Sequence, residues 1–434
     1  MSGNNQNSQD VPVYIVDGSR TPFLKTAGVP GPFIASDLAV QAARPLLSRQ
    51  PFEPDKFDEV ILGCVMPSAD EANIARVVAL RLGCGEHVPG WTVQRNCGSG
   101  MQAIDCAVGS IRAGRSHLVL AGGTESMSHA PLMFSNQMAT WFGQLNYAKS
   151  LPNKLTTLLK FRPALLKPVI ALLRGLTDPI VGLNMGQTAE VLAHRFNIGR
   201  EAMDEYAINS HHQLDAAQKE GRMGEIEIIY DHKGNYYDYD NGVRSDSSID
   251  KLAKLKPVFD RKFGKVTAGN SSQITDGAAW VILASEEAVK QYNLPVIGRI
   301  IDSEWAGLLP QQMGLGPVHA MTPIMKRQSL KISDIDYFEI NEAFAAQVLS
   351  CVAAWQDSEY CRDELDLSSS FGEIDMNQLN IDGGAVATGH PVGASGARIV
   401  LHLCHVLAQK QVNRGMAAIC IGGGQGGAML IERE

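Results

Sequence analysis

Residues 91–123 read WTVQRNCGSGMQAIDCAVGSIRAGRSHLVLAGG. The apolar start predicts a short strand, which leads into a turn of small residues that holds Cys97. Apolar residues at helical spacing follow from Met101 to Ile111, and they predict a helix. A second strand over 117–121 then ends in a double glycine. The stretch is therefore one supersecondary unit of strand, cysteine turn, helix and strand.

The same order of elements returns near the C-terminus. A glycine-rich run over 383–389 leads to His390, and apolar residues at helical spacing follow over 397–407. Residues 416–421 predict a strand that ends in glycine. Two copies of one plan place Cys97 and His390 at equivalent positions, each just before or at a helix N-terminus. The simplest architecture is a pair of α/β halves, although loose recurrence of this kind also occurs in unrelated α/β proteins.

Length, composition and charge exclude several classes of protein. A chain of 434 residues needs more than one small core, and 45% hydrophobic with 19% charged residues is ordinary for a globular protein. The net charge of -8 gives no overall attraction for phosphate backbones, so no nucleic-acid partner is expected. The sequence contains no run of about 18 uncharged apolar residues, so no membrane-spanning helix is predicted.

The cysteines and the N-terminus bear on the compartment. Eight cysteines are scattered without a CxxC pair or a histidine at zinc spacing, so no structural metal and no disulfide framework are expected. Residues 1–10 are polar, with neither a basic residue nor an apolar core, and predict neither a secretory signal nor a transit peptide. These features predict a cytoplasmic location.

Residues 131–269 interrupt the α/β pattern with turns and charged clusters. We expect an N-terminal half over 1–130 plus 270–292, an inserted loop domain over 131–269 and a C-terminal half over 293–434. Residues 126–177 contain no acidic residue, and six basic residues lie within 149–174 among large apolar ones. This composition suits an anionic membrane surface or an acidic partner. The alternative is a solvated helix pair that covers the entrance of the site.

Three residues carry candidate chemistry. The N-terminal dipole of the helix after Cys97 favours a thiolate, which predicts a nucleophile at neutral pH; an inert core cysteine is the alternative. His390, in its glycine-rich turn, is able to take a proton from a neighbouring thiol, unless it is a satisfied core histidine. Cys420 ends a strand before a second glycine-rich turn, where Gly422 is free to aim its N–H into a site. That turn lacks the remaining features of a nucleotide-binding loop.

Five segments in chain order resemble the sequence blocks of the thiolase family, and the likeness extends from about residue 13 to 432. They are NCGSGMQAI (96–104), KVTAGNSSQITDGAA (265–279), NEAFA (341–345), GGAVATGHPVGASGAR (383–398) and CIGGGQG (420–426). The resemblance implies an α/β fold of thiolase type, with two pseudo-symmetric halves in α-β-α-β-α layers and an inserted loop domain that binds coenzyme A.

The resemblance also implies an activity. The chain would be an acetyl-CoA C-acyltransferase or C-acetyltransferase that cleaves 3-ketoacyl-CoA, or condenses acetyl-CoA, through an acyl group on Cys97. His390 would activate Cys97 and, with a water held by Asn341, polarise the thioester oxygen. Cys420 would transfer the proton, and the N–H groups of Cys97 and Gly422 would form a second oxyanion hole.

The binding residues follow from the same likeness. Ala268 and Ser272 would line the pantetheine tunnel, Met185 the acyl pocket and Arg244 the phosphate end of coenzyme A. Ala343 and Phe344, within the NEAFA block, would also contact substrate. Coenzyme A would be a substrate, and no bound prosthetic group is expected. Relatives imply a homodimer or homotetramer, sometimes with a hydratase/dehydrogenase subunit as in fatty-acid β-oxidation complexes.

Two departures from the family pattern concern the substrate pocket and the catalytic water. Asn184 precedes Met185 where many members have histidine, and Asn341 stands where the thiolase subunit of β-oxidation complexes usually has histidine. Two other functions remain open. A ketoacyl synthase shares the fold plan but usually has histidine at the position of Cys420, and a silent acyl-CoA carrier or membrane scaffold would not need the three reactive side chains.

Overall fold

The computed structural model describes residues 11–434; the prediction about targeting segments concerns residues 1–10, which lie outside the described residues. The strands are β1 (Val13–Arg20), β2 (Leu24–Lys25), β3 (Glu59–Gly63), β4 (Gly90–Val93), β5 (Leu118–Ser126), β6 (Leu132–Met133), β7 (Val169–Ile170), β8 (Ile229–Tyr230), β9 (Tyr236–Tyr237), β10 (Thr275–Ser285), β11 (Gly298–Gly307), β12 (Tyr337–Ile340), β13 (Arg414–Ile421) and β14 (Gln425–Glu432).

The described residues also contain fifteen α-helices. They are α1 (Ala35–Ser48), α2 (Ile74–Arg81), α3 (Ser99–Arg112), α4 (Asn136–Tyr147), α5 (Leu151–Leu159), α6 (Ala171–Gly175), α7 (Met185–Arg195), α8 (Arg200–Lys219), α9 (Ile249–Leu252), α10 (Glu286–Tyr292), α11 (Gly316–Arg327), α12 (Ala345–Gln356), α13 (Ser358–Leu365), α14 (Ala385–Thr388) and α15 (Val392–Lys410).

One mixed sheet runs through both halves in the order β12-β13-β14-β11-β1-β10-β5-β3-β4, with β2 paired to β10. The halves meet where β1 and β11 pair antiparallel, with Val13 opposite Ile300. Outward from this joint each half repeats the same pattern. Two antiparallel pairings are followed by one parallel pairing, β3 with β5 on one side and β12 with β13 on the other. The halves are therefore pseudo-symmetric, as the internal repeat predicts.

The repeat extends to the segments that carry the candidate chemistry. Strand β4, which leads to Cys97, pairs parallel with β3. In the other half Leu379 forms a parallel bridge to Phe338 of β12, and the chain then leads through a glycine-rich turn to His390. Cys97 and His390 thus occupy topologically equivalent positions, each followed by a helix.

Helices α3 and α15 form a central layer of the molecule. Ile104 of α3 and Leu401 of α15 share a fully buried cluster with residues of both half-sheets, including Val281 and Ile419. Helices α1 and α2 cover the outer face of the N-terminal half, and α11 and α12 cover that of the C-terminal half. Because both faces of the sheet are covered, its strands are apolar on both sides.

Two glycines allow the central helices to meet at backbone distance. A Cβ on Gly100 of α3 would lie 2.8 Å from the carbonyl oxygen of Gly393, at the start of α15. A Cβ on Gly396 would lie 2.7 Å from the amide nitrogen of Met101. Real side chains do not tolerate such distances, so any larger residue forces the helix ends apart.

The segment between the halves contains helices α4–α9 and two short ribbons, β6–β7 and β8–β9. Strand β10 follows it and returns to the N-terminal half, between β1 and β5. The three domain boundaries stay a prediction. Within residues 11–434, none of the helices has both the length and the hydropathy needed to span a bilayer.

We predict that Gly100→Ala destabilises the fold, because its methyl group collides with backbone of α15. Overpacking of this kind costs about 1–3 kcal/mol of unfolding free energy. Gly109→Ala is the matched control on the same helix, since a Cβ at exposed Gly109 meets no atom within 4 Å. The control gains about 0.8–1 kcal/mol from helix propensity. Urea unfolding measures both changes, and equal effects at the two positions would contradict the packing.

Candidate active site

One cavity of 610 Å³ collects nearly all of the residues singled out from the sequence. We call it the site cavity. Asn341 lies behind its wall, next to His390, and the other ten candidates line it. Those ten are Cys97, Met185, Arg244, Ala268, Ser272, Ala343, Phe344, His390, Cys420 and Gly422.

Cys97 is held in a tight turn between β4 and α3. Asn96 adopts a left-handed backbone (φ 43°), which turns the chain out of the strand and presents the half-buried Cys97 to the cavity. The Asn96 side-chain amide donates to the carbonyl oxygen of Gly422 at 2.9 Å. The backbone amide of Gly422 hydrogen bonds to the Cys97 sulfur. The two glycine-rich turns, one from each half, are thus fastened to each other around the thiol.

The resting state of Cys97 differs from the expectation of a thiolate. Burial raises the pKa of the Cys97 thiol to about 11, although the amide of Gly422 works in the opposite direction. Desolvation of the charged sulfur therefore outweighs the hydrogen bond. A thiol with this pKa, in contrast to the thiolate that the helix dipole favours, needs a base before it can act as a nucleophile.

His390 has the geometry and protonation state of such a base. Its Nδ1 lies 2.6 Å from the Ser395 hydroxyl oxygen, and that hydroxyl donates to the carbonyl oxygen of Pro391 at 3.0 Å. Nδ1 therefore carries the hydrogen, and the lone pair is on Nε2. Burial, with a smaller effect of the Arg398 charge, lowers the pKa of His390 to about 3. The imidazole is neutral at physiological pH.

Cys420 and Asn341 come from adjacent parallel strands. Asn341 directly follows β12, and Cys420 lies at the end of β13, so both emerge at the same edge of the sheet. The Asn341 amide nitrogen is 3.5 Å from Nε2 of His390, and its Oδ1 has no hydrogen-bond partner within residues 11–434. Burial raises the pKa of Cys420 well above its usual range, and the neighbouring Cys97 adds to the shift. Cys420 is thus a protonated thiol.

The NEAFA segment is extended rather than helical at its start. The apolar spacing favours a helix over 342–355, but α12 begins at Ala345. The Ser272 amide donates to the Ala343 carbonyl at 3.0 Å, and the Ala345 amide donates to the Asn270 carbonyl at 3.0 Å. This pairing holds Ala343 and Phe344 in an extended strip, which forms one wall of the site cavity together with Ser272.

Sequence reasoning missed two contributors to the site. Lys25 lines the cavity together with Arg244, and its pKa is lowered by burial and then by the Arg244 charge. No carboxylate lines this cavity in the described part of the chain, so its polar end is cationic. Ser395, which sets the His390 tautomer, lies within a quoted block without any local signal of that role.

A second cavity of 190 Å³ adjoins the first at Cys97. We call it the apolar chamber; its walls include Val65, Met66, Leu172 and Leu176. Leu172 lies on α6, so the end of the basic stretch 149–174 reaches the site, while α4 and α5 pack against each other farther out. Cys97 therefore lies where an apolar chamber and a cation-lined cavity meet.

Within residues 11–434 no three or more His, Cys, Asp or Glu side chains are arranged to hold a metal ion. All eight cysteines, which lie in this range, are free thiols.

Comparison with known proteins gives the same family over both halves. Residues 13–287 match the family model "Thiolase, N-terminal domain", and residues 294–433 match "Thiolase, C-terminal domain". The mitochondrial 3-ketoacyl-CoA thiolase of Mus musculus is 39% identical over 97% of this chain and 98% of its own. The 3-ketoacyl-CoA thiolase of Shewanella halifaxensis is 34% identical over 99% and 98%.

Solved structures agree with this result. Human mitochondrial 3-ketoacyl-CoA thiolase in complex with CoA superposes with a TM-score of 0.83 at 36% identity, covering 98% of each chain. The acetyl-CoA acetyltransferase of Bacillus anthracis gives a TM-score of 0.84 at 35% identity over 98% of this chain and 99% of its own.

The fold and these matches define an acyltransferase of the α/β class. The chain belongs to the thiolase family. Its reaction is that of the family, thiolytic cleavage or its reverse, the Claisen condensation. The fold class and the family predicted from the sequence are confirmed.

We predict that alkylation of Cys97 by iodoacetamide is steeply dependent on pH in the wild-type protein, because the thiol rests protonated beside a neutral His390. With a pKa of about 11, the thiolate fraction rises about tenfold per pH unit, or about 100-fold from pH 7 to 9. Peptide mass spectrometry measures the rate. His319→Ala, which removes a histidine bonded to Tyr360, is the control and retains the wild-type profile. A pH-independent rate in the wild type would mean that the thiolate is preformed.

Proposed function

We propose that the chain cleaves 3-ketoacyl-CoA to acetyl-CoA and a shortened acyl-CoA, or runs the reverse condensation, with Cys97 as the acyl carrier. The observation that carries the proposal is the meeting of Cys97, a neutral His390, a protonated Cys420 and the Gly422 amide on one cavity wall. A neutral thiol beside a neutral imidazole is a pair that exchanges a proton during attack.

The proposed cleavage begins when His390 Nε2 takes the Cys97 proton and the sulfur attacks the 3-keto carbon. The amides of Cys97 and Gly422 receive one developing oxyanion, and His390 with a water on Asn341 receives the other. The bond between the 2- and 3-carbons breaks, and acetyl-CoA leaves as an enolate that takes a proton from Cys420. The thiol of a second coenzyme A then gives its proton to the Cys420 thiolate and attacks the acyl-Cys97 thioester, and the Cys97 sulfur leaves with the proton held by His390.

The two cavities suit the two parts of such a substrate. Lys25 and Arg244 supply positive charge for the phosphates of coenzyme A, and the strip with Ser272, Ala343 and Phe344 accommodates pantetheine. The apolar chamber accommodates the acyl chain. The human mitochondrial relative was solved with CoA, which supports coenzyme A as the ligand here.

The two other functions have less support. A ketoacyl synthase usually has histidine at the position of Cys420, and a silent carrier has no use for a buried thiol pair beside a neutral imidazole. The family matches favour neither.

We predict that wild-type protein mixed with acetyl-CoA, or with a long-chain 3-ketoacyl-CoA, gains one acyl group on Cys97 in intact-protein and peptide mass spectrometry. Cys97→Ala abolishes the adduct. Cys420→Ala retains acylation from acetyl-CoA but loses condensation by about 100-fold or more, because its proton-transfer group is gone. Cys404→Ala, a buried cysteine of α15 outside both cavities, is the control and stays active. Equal loss of both half-reactions in Cys420→Ala would contradict the division of labour.

We also propose that residues 149–174 and their neighbours dock on an anionic membrane surface. Large apolar side chains are exposed along this segment, and six basic residues lie among them without one acidic residue. On α5 the exposed leucines follow one face, at 77% exposure for Leu151, 59% for Leu155 and 86% for Leu159. Apolar residues interleaved with lysine and arginine suit a lipid interface.

We predict that the protein floats with phosphatidylglycerol vesicles and much less with phosphatidylcholine vesicles. Replacing Leu151, Leu155 and Leu159 by serine lowers binding by about tenfold or more, since each leucine loses apolar burial. Leu80→Ser, an exposed leucine of α2, is the control and binds like wild type. Unchanged flotation of the triple variant, or a change in oligomer mass instead, would overturn membrane docking.

Assembly and compartment complete the proposal. Strand β4 lies at one end of the sheet with Trp91 exposed, which is compatible with a homodimer or homotetramer. The family likeness is compatible with a hydratase/dehydrogenase partner in fatty-acid β-oxidation. Eight free thiols are in keeping with a reducing, cytoplasmic compartment.

A further inference from the structure

One buried carboxyl group near the site takes no part in the proposed reaction. Glu125 lies at the end of β5 with no exposed surface, and no salt bridge reaches it from residues 11–434. Its Oε2 accepts the Val65 amide at 2.9 Å and the Gly393 amide at 3.1 Å. Its Oε1 accepts the Met66 amide at 3.0 Å. A buried carboxylate without a cation is costly, so three convergent N–H donors indicate a specific arrangement.

The three amides belong to two different parts of the site. Val65 and Met66 follow β3 and form a wall of the apolar chamber. Gly393 lies in the first turn of α15, three residues after His390. The negative carboxylate is also stabilised at this helix N-terminus. One side chain therefore joins the chamber wall to the helix that presents the base.

The packing leaves no space for a side chain at Gly393, where Glu125 contacts the start of α15. A Cβ on Gly393 would lie 2.8 Å from Oε2 of Glu125 and 3.2 Å from the Cα of Cys64. Two ionised oxygens accept all three amides, whereas a glutamine would turn an NH₂ group toward one of them. The site is thus shaped for a carboxylate and not for its amide.

We propose that Glu125 is a positioning residue that fixes the wall of the apolar chamber relative to His390, so that binding of the acyl chain and activation of Cys97 depend on the same side chain. The inference rests on the proposed roles of Cys97 and His390.

Protonation of Glu125 would loosen this junction, because one oxygen would then present a hydrogen to an amide N–H. Burial raises the pKa of Glu125 to about 7. The titratable groups that face it are the Cys64 thiol at 3.8 Å, Cys97 and, beyond Cys64, Glu71. The pKa of Cys64 is raised well above its usual range by burial, that of Glu71 is lowered, and Cys97 at about 11 and His390 at about 3 stay neutral near pH 7.

Activity and the contribution of Glu125 to stability should therefore respond to pH in opposite directions. Activity falls as pH drops below about 7, because the carboxylate is lost. The folded pKa lies above the usual 4.5, so the contribution of Glu125 to stability is complete below 4.5 and is lost as pH rises through 7.

The test is Glu125→Gln, with steady-state kinetics from pH 5.5 to 8.5 on 3-ketoacyl-CoA substrates of short and long chain. We expect kcat/KM to fall about tenfold or more, a KM increase that grows with chain length, and an unchanged KM for coenzyme A. The loss of activity below pH 7 disappears in the variant. Asp58→Asn is the matched control, because Asp58 accepts two backbone amides at the other end of β5, and it keeps the wild-type profile.

A Glu125→Gln enzyme with wild-type KM values and pH profile would overturn the proposal. If the variant does not fold, the wild-type enzyme decides, since its activity should fall below pH 7, and a flat activity profile would also overturn the proposal. Formation of acyl-Cys97 in the wild type distinguishes failure of the proposed function from failure of the Glu125 proposal. If no acyl-Cys97 forms, the proposed function is wrong. If it forms and Glu125→Gln has wild-type kinetics, only the positioning role is wrong.

Discussion

The backbone contact between helices α3 and α15 is the constraint on which the site depends. Gly100 and Gly396 let the two helix starts approach to a distance that no side chain would permit. Each helix is preceded by a reactive residue, Cys97 in one half and His390 in the other, and the repeat places both at the same topological position. Pseudo-symmetry without close contact would leave the thiol and the imidazole on separate surfaces. Close contact turns a duplicated fold into a single site.

The same burial that creates the contact also sets the protonation states. Removing water raises the pKa of Cys97 to about 11 and lowers that of His390 to about 3, so both groups rest in their neutral forms. Charge then develops only while substrate reacts, where the amide of Gly422 is already directed at the sulfur. A helix dipole alone does not produce a resting thiolate here, since desolvation is the larger effect. In the proposed reaction, the Cys97 thiol therefore stays protonated until His390 accepts its proton.

Sequence periodicity was sufficient to predict the helices and strands of the internal repeat. It was insufficient where hydrogen bonds to backbone distant in sequence determine the local conformation. The helix after Cys97 and the helix after His390 follow the predicted spacing, because their apolar faces meet a buried sheet. The helix expected from residue 342 begins at Ala345, because residues 270–272 capture the preceding segment in an extended pairing. Lys25 had no local signal, since only the pairing of β2 with β10 brings it to the cavity. The roles of the candidate residues rest on the family resemblance as much as on chemistry, and geometry adds the tautomer and the charge states that no sequence pattern contains.

The segment between the halves contacts the apolar chamber on one side and is exposed on the other. Leu172 and Leu176 line the apolar chamber beside Cys97, and their apolar side chains keep that wall of the chamber apolar. Leu151, Leu155 and Leu159 are exposed and are not buried by the described part of the chain. Six basic residues interleave with these two groups, and the absence of acidic residues from 126 to 177 removes the local ion pairs that a solvated helix usually forms. Under the proposed function, this segment lines the acyl-binding chamber on its inner side and meets an apolar, anionic surface on its outer side, and these two demands account for its unusual composition beside Cys97.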